Sequence, residues 1–509
     1  MRLPSRPLLA ALAIAAAACE VDNATANGGG DGTVLPGQAY ALRIGAAGVE
    51  EIEQVFPYAG GAVVIGTFTG TVDFDPSGRT EFRTSAGGND VFVARIDLNG
   101  ALQWVTTLGG PGNDVGRGLF VTLDGRVALT GSAETGFQCV GGIVTGQHNG
   151  ARDAYIATLG ATGSCGDLFF VGGPGTDEGR SIAVDATGGI IVAGVFSGRA
   201  DFDPTGAETI RTAAAGDPSD VFVGRWQIPG QPTWLSALQG RGTDDVAAMA
   251  VDITQGVVLA GTYSDTLDAD PGSAVRRLAP VGGGSDVFVV ALNALNGDHR
   301  WSDRFASPNA DVVSRHALQV DLQREVWIGG RFSGSMSVGE FNTGTPIVSV
   351  GGEDGFLARV NSSGLPVGGF AIGGPGNDVV LDVSLADEND GLFVSGRFQD
   401  RVDFSRGLSS PVIVAVSPSN SGVGDLFLAR YNKAGVLRWA SRLRPSAVPP
   451  LTGTAFLTSV ASGGFWVGGR FGGAMNIDPG TGFAVLTAEA QADAWIGRFT
   501  ADSGAVVRR

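Results

Sequence analysis

Lysine is nearly missing from this chain: Lys433 is the only one among 509 residues. Acids outnumber lysine and arginine by 51 to 34, a formal net charge of −17. Such a chain repels phosphate backbones and anionic headgroups, which argues against a nucleic-acid partner. The same acidity suits an exported protein that must stay soluble. Histidine is scarce as well. His148, His299 and His316 stand far apart, without metal-ligand spacing. No Gly-x-Ser-x-Gly elbow, zinc motif or phosphate-binding loop occurs, so an enzyme reading has little to stand on. Beyond the N-terminus there is no helix-period stretch and no apolar run long enough to cross a bilayer.

Glycine is what the chain has in excess, with 82 residues and neither a Gly-X-Y period nor low-complexity runs. Short Val, Ile and Phe runs lie between the glycines. This is the pattern of many short strands joined by tight turns. The clearest unit spans residues 172–240. It opens Gly172-Gly173-Pro174-Gly175-Thr176-Asp177. Four strand-like runs follow: A from Ser181 to Asp185, B from Ile190 to Phe196, C from Val221 to Trp226 and D from Trp234 to Leu238. Two markers repeat along the chain. One is the glycine near the end of B: Gly66, Gly131, Gly194, Gly261, Gly330, Gly396 and Gly469. The other is Asp followed two residues later by an aromatic, as in Asp90/Phe92, Asp153/Tyr155, Asp220/Phe222, Asp286/Phe288, Asp354/Phe356, Asp425/Phe427 and Asp493/Trp495. Both count seven.

A four-stranded unit of this size cannot bury both faces alone, but it can when packed radially against copies of itself. The expected fold is all-β, a seven-bladed β-propeller over residues 38–509 with four strands per blade. The last unit lacks a good D run, while residues 39–45 look like a D strand with nothing before it. The ring is therefore expected to close by an N-terminal strand in the last blade. The series Gly-Gly-x-Gly-x-Asp, Ala-Val-Asp-x-x-Gly, Ala-Gly-x-Phe, Asp-Phe-Asp-Pro and Asp-Val-Phe-Val resembles the bacterial seven-bladed propeller repeats known as SBBP. That resemblance implies the fold and an extracellular or surface setting; it is nearly silent on activity.

Residues 1–19 have the layout of an export signal. Arg2 and Arg6 precede an apolar run from Leu8 to Ala18, too short to span. The run ends Ala16-Ala17-Ala18-Cys19, which resembles the lipobox of bacterial lipoproteins and implies lipidation of Cys19. Residues 20–37 read as a flexible tether. Glu20 after the cysteine, where enteric lipoproteins retained in the inner membrane have Asp, points to the outer membrane of a bacterial envelope. Outside the cytoplasm Cys139 and Cys165 can form a disulfide; the alternative is two buried thiols.

Strands in a blade alternate in direction, so the A–B and C–D turns share one face, and the B–C and D–A connections share the other. The second face holds the long inserts, and any binding site is expected there. It also collects acids: the marker Asp of each C strand, plus Glu50, Asp114, Asp177, Asp244, Asp311 and Asp378 leading into the A strands. Their recurrence in every blade favours a role in turns. The pairs Asp73/Asp75, Asp201/Asp203 and Asp268/Asp270 in Asp-x-Asp-Pro motifs are candidate Ca²⁺ ligands, with Asn476/Asp478 a weaker copy; a Pro-set turn is the alternative. Three functions remain: a monomeric binding or scaffolding platform for protein or glycan, a carbohydrate-active hydrolase or lyase at the propeller mouth, and a structural envelope component. A single asymmetric ionisable cluster near the axis would favour the enzyme.

Overall fold

Each marker glycine sits directly across from a marker aromatic. In the third unit Gly194 pairs with Phe222. The same pairing joins Gly66 to Phe92, Gly131 to Tyr155, Gly261 to Phe288, Gly330 to Phe356, Gly396 to Phe427 and Gly469 to Trp495. The reason is close approach. A Cβ on Gly194 would lie 2.1 Å from the Glu178 carbonyl oxygen and 2.7 Å from the Phe222 ring. The two markers are thus one device, an aromatic ring lying over bare backbone.

The structure, a computed structural model, describes residues 41–46, 48–75, 79–139, 142–145, 148–214, 216, 218–228, 230–252, 254, 256–340, 345–386, 391–406, 413–414, 424–445, 455–460, 464–477, 485–488 and 492–501. The expected signal, Cys19 and the tether lie outside these residues. The described chain is all-β and forms seven blades. Blade 3 shows the plan: A is Glu178–Val184, B is Ile190–Phe196, C is Asp220–Trp226 and D is Pro232–Gly240, antiparallel and in that spatial order. Every residue of its B and C strands is buried, because neighbouring blades cover both faces of the sheet. The A strands are innermost and pack in succession round the axis, from Glu51–Tyr58 through Asp114–Val121 to Ala455–Val460, which returns against Glu51–Tyr58.

The expected closing strand forms. Ala41–Ile44 lies antiparallel to Asp493–Thr500 as the outer strand of blade 7, with Ala41 opposite Gly497 and Ile44 opposite Ala494. Arg43 Nη1 donates to Asp493 Oδ2 at 2.9 Å, which fixes the register. An outer edge that would otherwise be open is covered by the start of the described chain.

Outer strands are joined from blade to blade by tryptophan. Trp104, Trp234 and Trp439 donate their indole N–H to the carbonyls of Ala161, Ala294 and Ala501, beside the C–D turn of the next blade. Cys139 and Cys165 form a disulfide with Cα atoms 5.9 Å apart. It ties the B–C insert of blade 2 to the start of that blade's D strand, Cys165–Val171. Blade 2 lacks the Asp-Phe-Asp-Pro motif, and the disulfide holds its insert instead.

Candidate functional site at the propeller axis

The B–C inserts vary most between repeats, which made them candidates for binding. The structure puts part of several inserts, among the described residues, into packing. Insert strands reach back to the outer strand of the preceding blade: Gln239 pairs with Asp268, Phe305 with Val338 and Arg444 with Asn476. Phe74, Phe202 and Phe404 of the motif are fully buried. Phe202 lies 4.8 Å from Phe222, and its carbonyl accepts the Trp226 indole N–H. The motif is a strap whose Phe is the anchor.

Its aspartates shape the same strap. Asp73 Oδ1 accepts the N–H of Asp75 at 3.1 Å and of Glu81 at 2.8 Å. Asp201 Oδ1 does so from Asp203 and Thr209, and Asp268 Oδ1 from Asp270 and Arg276. Asp203 and Asp270 bind the N–H groups of Thr205 and Gly272, and Asp75 pairs with Arg79. These are Asx turns that close each hairpin loop. Among the described residues no group of three or more His, Cys, Asp or Glu is arranged to hold a metal. Asp478 lies outside the described residues.

Each of the junctions between blades 1 and 6 buries two carboxylates. The marker acids Asp90, Asp153, Asp220, Asp286 and Asp354 and the lead-in acids Asp114, Asp177, Asp244, Asp311 and Asp378 are at most 3% exposed. Most accept an N–H group four residues upstream, as Asp177 does from Gly173 and Asp90 from Ala86, while Asp286 accepts from Val281 and Asp220 from Ala214. A Cβ on Gly172 would strike both Asp177 Oδ2 and Asp153 Oδ1, so the first loop glycine makes room for the pair. Burial, with the neighbouring Asp153, pushes Asp177 up to about 7; Asp311 and Asp378 reach about 7 and Asp114 about 6, again chiefly through burial. Recurring at each of these five junctions, these acids build the ring.

The A strands carry something that does not recur. In blades 1 to 6 each A strand bulges just after the residue facing the marker glycine or its neighbour. The extra residue is Glu53 in blade 1, Arg117 in blade 2, Arg180 in blade 3, Ala247 in blade 4 and Leu381 in blade 6. In blade 5 the bulge widens to Ser314–Ala317, and His316 takes a left-handed φ of 62°. A bulge re-aims one side chain while the ladder continues. Here the re-aimed side chains form a charge network. Arg117 donates to Glu178 Oε1 at 2.7 Å and to Glu53 Oε1 at 2.9 Å. Arg315 reaches Glu53 Oε2 at 3.3 Å, from blade 5 to blade 1 across the axis. Arg180 contacts Glu178 Oε2 at 3.2 Å and stands 3.6 Å from Asp245 Oδ1. That last distance is too long for a direct hydrogen bond.

The network lies within the first residues of the A strands, hence toward the elaborated face. Its groups are tuned unequally. Burial opposes charge on Glu178, but Arg180 and Arg117 outweigh it and hold its pKa below the usual range. Burial raises Asp245, only partly offset by Arg180. Arg117 is raised, because Glu53 and Glu178 overcome the cost of burying it. His316 is pushed down to about 3 by burial and by Arg315 and Arg117, so it is neutral at ordinary pH. Three guanidiniums and three carboxylates balance locally while the whole chain is strongly acidic. The sequence reading missed this set. Part of its signal was available: three residues after the lead-in acid, the chain reads Glu53, Arg117, Arg180, Ala247, Ser314 and Leu381, so charge enters in three blades and not in the others.

Comparison with known proteins adds a distant likeness. No family model matches the chain. An uncharacterized WD repeat-containing protein of Acanthamoeba polyphaga mimivirus is 20% identical over 328 residues, which cover 54% of this chain. The chain spans only 22% of that protein's length. That protein is named for its WD repeats; the chain described here forms a seven-bladed propeller.

Proposed function

We propose that this chain is a binding platform, an exported propeller held to a bacterial envelope membrane through Cys19 and engaging a protein or glycan over the axial mouth. One observation carries the reading. The B–C and D–A connections, the longest and most varied of the ring, share one face of a rigid closed scaffold, around an axial set of Glu53, Arg117, Glu178, Arg180, Asp245 and Arg315 that a partner can engage. Recurring residues build the blade; a position that is Glu53, Arg117 and Arg180 in three blades but Ala247 and Leu381 in two others is free of that duty and open to serve a partner. The likeness to a WD repeat-containing protein favours a protein-interaction scaffold. The export and anchor reading rests on the signal-like residues 1–19 and on the resemblance to SBBP repeats. The test is a cross-linking and glycan-array screen with the full chain and with Arg315→Glu. A partner lost with Arg315→Glu but kept with Leu123→Ser, on the opposite face, supports the platform. Equal binding by both variants removes the axial mouth as its seat.

A second reading is favoured by the axial network itself, since one asymmetric ionisable cluster at the axis is the arrangement expected of an enzyme, and by its unequal pKa shifts. Asp245 is raised and Glu178 lowered, and both face Arg180. Two carboxylates pushed apart in this way are the pattern of a proton donor beside an ionised partner in glycoside cleavage. Release of reducing ends from envelope glycans, abolished by Asp245→Asn, would move the assignment to a carbohydrate-active enzyme.

A further inference from the structure

The junction of blades 5 and 6 departs from the repeat twice. The strap of blade 6 reads Asp403-Phe404-Ser405-Arg406, where blades 1, 3 and 4 end the motif in Asp-Pro, as in Asp203-Pro204. The change removes a carboxylate and puts a guanidinium into the strap. The backbone shows the cost: Arg406 takes a left-handed φ of 57°. A residue other than glycine holds that conformation only where its surroundings enforce it, and such positions gather at functional sites. The second departure is in the D strand of blade 5, Pro366–Ile372. Gly368 stands opposite Arg359, where Trp104, Trp234 and Trp439 stand opposite Arg95, Arg225 and Arg430. The indole that reaches the next blade elsewhere is missing here.

An open cleft of about 580 Å³ lies at this junction, within the range of small-ligand sites, about 300–1,000 Å³. Val350, Ala371 and Pro375 line it from blade 5 and its D–A loop, and Arg401, Asp403 and Arg406 line it from the strap of blade 6. Arg406 is held in place. Its guanidinium lies 3.9 Å from the centre of the Phe370 ring, and its Nη2 donates to the Gly435 carbonyl at 2.6 Å. Its Nε is buried without a hydrogen-bond partner. Among the described residues neither Arg401 nor Arg406 has a carboxylate within ion-pair distance. Blade 3 differs: Arg199, at the place of Arg401, pairs with Glu208 at 3.4 Å. Asp403 adds an acceptor to the cleft, with its Oδ1 fixed by the N–H and hydroxyl of Ser405 at 2.9 and 2.7 Å. Two guanidiniums against one carboxylate leave the cleft positive in a chain of net charge −17.

We infer that this cleft binds a small hydroxylated organic acid, of the kind a uronic acid residue presents. The ligand's carboxylate takes the guanidiniums of Arg401 and Arg406, which suit a planar oxyanion. Its hydroxyl groups donate to Asp403, and the C–H face of its ring lies on Val350, Ala371 and Pro375. A neutral sugar leaves both arginines without a counter-charge. Inorganic phosphate makes no use of the apolar wall and is repelled by Asp403. The cleft shares no residue with the axial network, so the two sites are independent.

The experiment is calorimetric titration of the full chain with D-glucuronate, D-glucose and inorganic phosphate. Arg406→Met removes the charge but keeps a side chain on Phe370. Arg401→Ser changes an exposed residue and leaves the strap's contacts alone, so it carries the test even if Arg406→Met loosens the fold. Arg199→Ser is the matching change in blade 3. The expected result is saturable binding of glucuronate, with glucose and phosphate weaker by about tenfold or more. Arg401→Ser and Arg406→Met should each weaken glucuronate by about tenfold, and Arg199→Ser should not. Glucuronate binding untouched by Arg401→Ser overturns the cleft as its seat. Loss with Arg315→Glu instead places the acid at the axial mouth and overturns it as well. Phosphate binding as tight as glucuronate overturns the sugar-acid class. Absence of heat with millimolar glucuronate overturns the site, and leaves the axial platform standing.

Discussion

Arg315 and Glu53 meet across the propeller axis, Nη1 to Oε2 at 3.3 Å, from strands 262 residues apart in sequence. Glu53 holds Arg117 with its other oxygen, and Arg117 holds Glu178. Through Arg180 and Asp245 the network spans blades 1 to 5. Its members differ in burial, which separates structural from exposed roles. Arg117→Met leaves two buried carboxylates short of a partner and is expected to cost about 3 kcal/mol. Arg315 is 42% exposed, and Arg315→Met is expected to cost less than about 1 kcal/mol. Urea denaturation of the two variants checks the order; equal losses would show that burial does not rank them.

The marker glycines make a second prediction. Gly194→Ala places a methyl 2.1 Å from the Glu178 carbonyl oxygen, which belongs to backbone and cannot swing away. A loss of about 3 kcal/mol is expected. Gly198 has a φ of 64° with open space around it. Gly198→Ala should cost only about 1 kcal/mol, through backbone strain alone. Thermal melts of the pair distinguish crowding from conformational strain.

The junction carboxylates set a pH dependence. Asp177, Asp311 and Asp378 rise to about 7 and Asp114 to about 6, against 3.8 for a free side chain. A folded pKa above the unfolded one means that the folded state binds the extra proton between the two values. The stability contributed by these groups is therefore full at the acid end and falls as pH rises from about 4 to about 7. Asp185 opposes this weakly: against the cost of burial, Arg225 and Thr187 hold its pKa low, so it loses stability only below about pH 4. Melting temperature should be higher near pH 5 than near pH 8. Asp90→Asn, which puts an amide beside Asp114, should narrow the gap. A melting temperature that climbs from pH 5 to pH 8 contradicts the assignment.

Ring closure is testable by deletion. Removing residues 41–46 exposes the edge of Asp493–Thr500 and takes Arg43 from buried Asp493. A lower melting temperature and concentration-dependent association are expected. An unchanged melt with a monomeric elution profile would mean that the ring does not depend on this strand.

The disulfide should matter moderately. Cys139 and Cys165 are 26 residues apart. Closing a loop of that length is worth about 3 kcal/mol in the chain-entropy view. Replacing both with Ser should lower stability by about that amount, read by denaturation with and without reductant. Binding at the axial mouth should be unaffected.

Much of the fold was legible because a repeat declares itself. Gly194 and Phe222 recur with their partners, so seven blades could be counted before any pairing was known. The closing strand was legible for a related reason: the last unit was one strand short and the first residues supplied a spare. The structural part of the inserts was not legible, because variation in sequence hides a few fixed contacts. Phe202 is an anchor, and its neighbours differ only because a strap tolerates many sequences outside its fixed contacts.

The sequence by itself determined the number of blades, the place of each marker and the acidity of the whole. These depend on local spacing and composition, which chain order preserves. Only the tertiary structure decided which side chains share the axis. Glu53, Arg117, Arg180 and Arg315 are scattered over 262 residues and look like unrelated surface charges in the chain. A bulge in each A strand turns them inward, and closure of the ring brings blade 1 opposite blade 5. Contact across a closed ring is a property of its geometry, and no local pattern encodes it.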